Sequence, residues 1–459
     1  MIEIKRIEIN EPSDYDEIYK YIEIDYIHEK VIDELKNRIG LKCTTILIEY
    51  PYYDKDYLST YYSFYSKLFK NIKKECYRIH LFHKNEYRGY LTLRPTVSYT
   101  KVGKSYINPK LLLNEEAHIV LGDFVANLNG DKYIVGSYPW MYQETDISVC
   151  AHVSVWSIIR YYGNKYSNYS DKRMMDIVDQ TPNGLNRNIP SKGLVLTQIA
   201  EILRKNDFHP LIIQKNKDDN GEFFKEVYSY IESGIPMVAA ITKFGHAVAI
   251  IGHGKVNYEI LDSKVDKIIN SSDMIESLII NDDNYFPYLE VKKCGQSNNQ
   301  IQKYNLEDID YVIIPLYDRM MLGYSSVKVR AYSLIRSESY DFGNKNVVRI
   351  YMTSSNSLKK NIKNNNGINS ILKDVICRLE LPRFVWCVDI SSPEEYKSGT
   401  MSGKIIIDST AGTYEENPWL LIQDKNTIIW KNGEKYFRQQ ININTYPIYK
   451  NNLRGFYYE

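Results

Sequence analysis

Hydrophobic and polar positions along this chain switch repeatedly between helical and strand-like periods, which predicts a mixed α+β protein. In residues 1–125, Tyr26 to Ile39 has helical spacing, Thr44 to Tyr50 reads as a short strand, and Leu58 to Ile72 as an aromatic-rich helix. Tyr77 to Phe82 and Tyr87 to Leu93 read as strands, the second closed by Arg94-Pro95. Lys132 to Ser137 leads into Pro139-Trp140, a junction. The middle of the chain then changes character. Ser148 to Tyr162 is expected to be a helix capped by Asp146 or Ser148 and stopped by Gly163, with Val153, Trp156, Ile159 and Tyr162 on one buried face. Gly193 to Asn206 and Gly221 to Ser233 read as further helices. Pro236 to Thr242, His246 to Ile251, Tyr258 to Leu261 and Leu278 to Ile280 read as strands. Beyond residue 316 the pattern returns to α+β, with strands at Val347 to Met352, Arg383 to Ile390 and Gly403 to Asp408, and a helix at Ser355 to Ile362.

A chain of 459 residues exceeds what one hydrophobic core serves, and the changes of pattern suggest three domains: 1–125, 126–315 and 316–459. No internal repeat is visible. The 58 Lys and Arg nearly balance the 57 Asp and Glu, so no overall field draws the chain to nucleic acid or to an anionic membrane. The 42 Tyr are spread along the whole sequence, as codon bias would spread them, and do not mark one binding face. No run approaches 18 apolar residues, and the first 25 lack the pattern of a secretory signal, so a cytoplasmic protein without a membrane span is expected. The six cysteines (Cys43, Cys76, Cys150, Cys294, Cys377 and Cys387) form no CxxC pair and predict neither a disulfide framework nor a zinc site.

The chemistry concentrates in the middle third. In YQETDISVCAHVSVWSIIRYYG, Cys150 falls in the first turn of the predicted helix, where free N–H groups and the macrodipole favour a thiolate. In GIPMVAAITKFGHAVAIIGHG, His246 opens an almost wholly apolar strand, a rigid mount for a base. His152 lies two residues from Cys150 and so points to another helix face, which gives it a structural role. A third group should orient the imidazole. Asp282, in IINDDNYFPY, is the first choice, with Asp283, Asn281 and Asp262 as competitors. The backbone N–H of Cys150 and the side-chain amide of Gln143 are candidate donors to a developing oxyanion.

The order Gln, then Cys on a helix, then His on a strand, then Asp or Asn resembles the papain-like cysteine peptidase superfamily. The three segments QETDISVCAHVSVWSIIRYYG, GIPMVAAITKFGHAVAIIGHG and INDDNYFPY are most similar to bacterial C39-like peptidase domains, over about residues 139–290. The resemblance implies a helical layer packed on an antiparallel sheet, with the cleft between them. It assigns Gln143 to the oxyanion hole, Cys150 as nucleophile, His246 as base and Asp282 as orienting group. Two features depart from the family: Gln143 stands seven positions before Cys150, one more than is usual, and Ala-His follows Cys150 where exporter-linked members commonly have Gly. No phosphate-binding GxxxxGK[ST] loop accompanies them, so an exporting transporter is not expected. The expected activity is cleavage of an amide in a peptide or protein substrate, with no metal or organic cofactor. Acyl transfer or deamidation at the same site, or a non-catalytic scaffold of the same fold, are the alternatives.

Overall fold

The computed structural model describes residues 2–96, 101–144, 147–182, 189–191, 193–216, 218–219, 221–293 and 304–457. The chain is mixed α+β, and three large sheets organise it. The first has five antiparallel strands in sequence order: Glu3–Glu8, Thr45–Tyr52, Cys76–His83, Glu86–Leu93 and Tyr106–Ile107. The second runs Leu289–Lys292, Ser277–Asn281, His246–Gly254, Met237–Ile241, Tyr311–Leu316, His209–Gln214. It also takes Ala117–Ile119 beside His246–Gly254, and then Arg454–Phe456 from the far end of the chain. Every pairing in it is antiparallel. The third sheet has seven strands, from Ile268–Asn270 through Asn346–Ser354, Phe384–Ser391, Gly403–Asp408, Trp419–Gln423 and Thr427–Asn432 to Lys435–Gln440. Its first pairing, Ile268–Asn270 on Asn346–Ser354, is parallel.

His246–Gly254 is the central element of the second sheet. The sequence HAVAIIGHG is apolar almost throughout, and all of it after His246 is buried, as expected of a strand covered on both faces. The helix Cys150–Lys165 packs against this strand. Ser154 Oγ donates to the Ala247 carbonyl at 3.4 Å, which fixes the helix one turn beyond Cys150 to the strand one residue beyond His246.

The helix departs from expectation in three ways. It is buried on all sides from Ala151 to Tyr162, not along one face. Its first turn is closed by His152, whose Nδ1 accepts the Val149 N–H at 3.3 Å. Ser148 instead accepts the Glu144 N–H, and Asp146 lies outside the described residues. It also continues past Gly163 to Lys165. Gly163 serves close approach rather than termination: a Cβ there would stand 3.1 Å from the Asp171 backbone nitrogen.

Two further expectations fail. The predicted strand Tyr258 to Leu261 is a turn leading into the short helix Ile260–Ser263, because the Asn257 side chain accepts the Glu259 N–H and starts a turn. The long helix expected over Leu58 to Ile72 is Lys55–Ser63 followed by a single tight turn, Tyr65–Lys67. Its start is set by Asp54, which accepts the N–H groups of Asp56 and Tyr57, both at 3.0 Å. The remaining predicted elements appear within a few residues of their expected bounds, the Tyr26 to Ile39 helix as Glu29–Glu34 continued by the wider turn Leu35–Ile39. One hydrophobic core runs from Ile7 to Ile422 through all three sheets, and a second lies on the other face of the third sheet. Among the described residues no helix is long and apolar enough to cross a membrane.

Candidate active site

Cys150 is the first residue of its helix and His246 the first of its strand, so the ends of two rigid elements meet at one point. The turn Thr242–Phe244 delivers the histidine through Gly245, whose φ of +59° is the left-handed conformation that glycine adopts without strain. Cys150 is half-buried, and its sulfur receives the Ala247 N–H at 3.4 Å. A backbone donor aimed at the sulfur favours negative charge there.

Asp282 lies behind the imidazole. Its Oδ1 is 3.1 Å from His246 Nε2, an ionic approach rather than a well-aligned hydrogen bond. The carboxylate is buried and receives two hydrogen bonds, and a third donor holds the residue's backbone. Tyr304 Oη donates to Oδ2 at 2.7 Å, the Asn284 N–H donates to Oδ1 at 2.9 Å, and Trp140 Nε1 donates to the Asp282 carbonyl at 3.2 Å. Asp283 is next to it, its Oδ1 3.9 Å from the same imidazole nitrogen.

These contacts shift the protonation of the cluster. Burial acts to lower the pKa of His246, but contact with Asp282 and Cys150 outweighs it and raises the value to about 11. Burial likewise opposes ionisation of Asp282, yet His246, Tyr304 and the Asn284 N–H hold its carboxyl below the usual range. Asp283 goes the other way: burial, then the charge of Asp282, push it up to about 8. At neutral pH the cluster therefore contains an imidazolium, one carboxylate and one protonated carboxyl.

Gln143 is tied to the Asp282 loop. Its Nε2 donates to Asn284 Oδ1 at 2.9 Å, and its backbone N–H donates to the Asp283 carbonyl at 3.4 Å. Of the other candidates for the orienting role, Asn281 is buried and accepts the Tyr288 N–H at 2.9 Å. Asp262 is exposed and pairs with Lys397 at 2.7 Å, in contact with a different part of the molecule. His152 is buried, with Nε2 3.0 Å from Thr181 Oγ1, and burial pushes its pKa down to about 4. It is a neutral structural group.

Several supporting residues were not visible in the sequence. Tyr304 and the Ala247 N–H carried no signal, and three basic residues from the first third of the chain hold the loops of the site. Lys30 donates to the Asn284 carbonyl, Arg38 to the carbonyls of Phe286 and Pro287, and Arg94 to the Tyr142 carbonyl. A cavity of about 750 Å³ elsewhere, lined by Tyr169, His209, Tyr317 and Arg383, contains no comparable set of groups. Chemistry rather than volume locates the site. One potential metal-ligand set exists among the described residues: donor atoms of His246, Asp282 and Asp283 all lie within 4.8 Å of one another.

A scan against models of protein families finds no match to this chain, and a search of curated proteins finds none either.

Proposed function

We propose that this chain is a cysteine peptidase of papain-like type, with Cys150 as nucleophile, His246 as acid and base, and Asp282 as the group that orients and charges the imidazole. The observation that carries the reading is the meeting of a first-turn helical cysteine and a strand-mounted histidine, backed by a buried carboxylate 3.1 Å from the ring. The resemblance of residues 139–290 to C39-like domains supports it.

In this reading Cys150 reacts as a thiolate beside the His246 imidazolium. Sulfur attacks the amide carbonyl carbon, and the oxyanion is met by the Cys150 N–H and the Gln143 amide. The C–N bond then breaks, and the leaving nitrogen takes the proton of His246. Neutral His246 next removes a proton from water, the resulting hydroxyl attacks the thioester, and the C–S bond breaks to restore the thiolate. Asp282 stays ionised throughout. Gln143 reaches the oxyanion by giving up or sharing its bond to Asn284.

The test is the pH profile of iodoacetamide labelling, read by peptide mass spectrometry in wild type, His246→Ala and Cys150→Ala. Labelling of Cys150 well below pH 8.5, lost in His246→Ala, is expected. Labelling of Cys150 no faster than at the other five cysteines, and indifferent to His246→Ala, overturns the reading.

A further inference from the structure

Other buried carboxylates face a cation or accept hydrogen bonds: Asp54 meets Lys104 at 2.7 Å, Glu144 meets Arg94, Glu232 meets Arg349, and Asp424 accepts the N–H groups of Asp341, Asn426 and Thr427. Asp283 does not follow this pattern. Its side chain is 1% exposed, both carboxylate oxygens are buried without a hydrogen-bond partner, and no Lys or Arg among the described residues comes within ion-pair distance. The group it faces is His246 Nε2, which itself has no well-aligned hydrogen-bond partner. Leaving such groups unpaired in the interior is costly, and an unexplained set of this kind points to a missing ligand.

We propose that His246, Asp282 and Asp283 form a binding site for one divalent first-row cation, and that the ion holds the catalytic pair inactive. The site combines one imidazole nitrogen with two carboxylate oxygens, a donor set suited to Mn²⁺, Fe²⁺ or Zn²⁺ and poorly matched to soft thiolate-seeking ions. The geometry fits. Nε2 is 3.1 Å from Asp282 Oδ1 and 3.9 Å from Asp283 Oδ1. Two ligands about 2.1 Å from a tetrahedral ion stand about 3.4 Å apart, midway between those separations. On binding, His246 would give up the proton on Nε2 and Asp283 its carboxyl proton. The two positive charges of the ion would replace those two protons, and the ion would take up the unpartnered oxygens of Asp283. The ligands come from the start of one strand and the end of its neighbour, so the backbone already holds them together. Remaining coordination positions would be filled by water.

The consequence for chemistry follows from the shared imidazole. An ion on Nε2 replaces the proton that faces Asp282, and the ring keeps a single proton on Nδ1. That proton leaves only by forming an imidazolate, so the metal-bound ring can neither take the thiol's proton nor hand one to the leaving amine. The inhibition therefore rests on the reading of Cys150 and His246 as a catalytic pair, whereas the binding does not.

Mn²⁺ alone is the probe, titrated by calorimetry into full-length protein stripped with chelator. Wild type should take up one ion, Cys150→Ser should bind it equally, and Asp283→Asn should bind at least tenfold more weakly. Asp283→Asn must melt no lower than wild type, as expected when a neutral amide replaces an unpaired carboxyl. With wild type, saturating Mn²⁺ should slow alkylation of Cys150 at least tenfold, and chelator should reverse this; in Asp283→Asn, added Mn²⁺ should leave the rate of that variant unchanged. Absence of binding, or binding lost in Cys150→Ser and retained in Asp283→Asn, overturns the proposed site. Binding without slowed alkylation overturns the inhibitory role. The outcome is separable from that of the peptidase reading, which stands or falls on the pH profile of the metal-free protein.

Discussion

Asp282 and Asp283 share a backbone turn but have opposite electrostatic surroundings. The Asp282 carboxylate collects two donors and an imidazolium, whereas Asp283 receives no hydrogen bond to its carboxylate. Tyr304 is the decisive neutral contact, because its hydroxyl is the donor recorded at Asp282 Oδ2. Tyr304→Phe should leave that oxygen buried and unsatisfied, costing about 1–3 kcal/mol. It should also weaken the hold on the imidazolium, so that Cys150 alkylation needs a higher pH than in wild type. Unchanged melting and an unchanged profile would show that the Tyr304 bond does not support the site. His152 makes a second prediction at this scale. Burial depresses its pKa to about 4, so its contribution to stability is whole above about pH 6.5, the ordinary histidine value, and is lost as the pH falls through 4. Each pH unit in that window costs up to about 1.4 kcal/mol for such a group. Urea unfolding from pH 7 to 4.5 should show a shallower fall in stability for His152→Asn than for wild type. Coincident slopes would mean that folded His152 is already charged.

At the scale of elements, what was legible in the sequence was local. Cys150 at a helix start and His246 at a strand start follow from periodicity within about twenty residues on either side, and both elements form there. Total burial of the Cys150 helix was not legible, because its polar residues are satisfied by partners about a hundred positions away. Trp156 Nε1 donates to Asp56 Oδ1 at 3.1 Å and Arg160 Nη2 to the same oxygen at 2.8 Å, while Lys104 Nζ is 3.2 Å from Oδ2. No spacing rule links Asp56 to a helix at 150–165. The same holds for Arg38 and Lys30, whose carbonyl contacts shape the Asp282 loop from some 250 residues upstream. The helix carrying the nucleophile is thus fastened to the first sheet's unit by one carboxylate. Asp56→Ala takes one carboxylate from two buried cations, leaving Lys104 with Asp54 and Arg160 with Asp171, and should destabilise the protein by about 1–3 kcal/mol. Asp56→Asn, which keeps an acceptor for Trp156, should lose less. Thermal melts of the two variants check the order, and equal losses would assign the effect to charge alone.

At the scale of the whole molecule, the question is whether the three sheets unfold as one. The last strand, Arg454–Phe456, returns to the second sheet after the chain has built the third, and Asn452 Nδ2 donates to the carbonyls of Glu232 and Met352. A buried charge chain crosses the same boundary. His253 in the central strand meets Glu232 at 2.8 Å, Glu232 meets Arg349 of the third sheet, and Arg349 Nη1 is 3.3 Å from Asp389, which pairs with Lys404. The shared hydrophobic core runs through both sheets at this level. Disturbing the centre of the chain should therefore loosen the site strand as well as the third sheet. Arg349→Met removes the cation between two buried carboxylates and should cost about 3–5 kcal/mol, since Glu232 and Asp389 lose their common partner. Hydrogen exchange followed by mass spectrometry reads where the cost falls. If the sheets form one cooperative unit, amides of His246–Gly254 and of Phe384–Ser391 accelerate together and by the same factor. Acceleration confined to Phe384–Ser391 would show that the third sheet opens independently, leaving Cys150 and His246 on a separately stable unit. That difference decides whether the C-terminal third supports the site through packing or merely adjoins it.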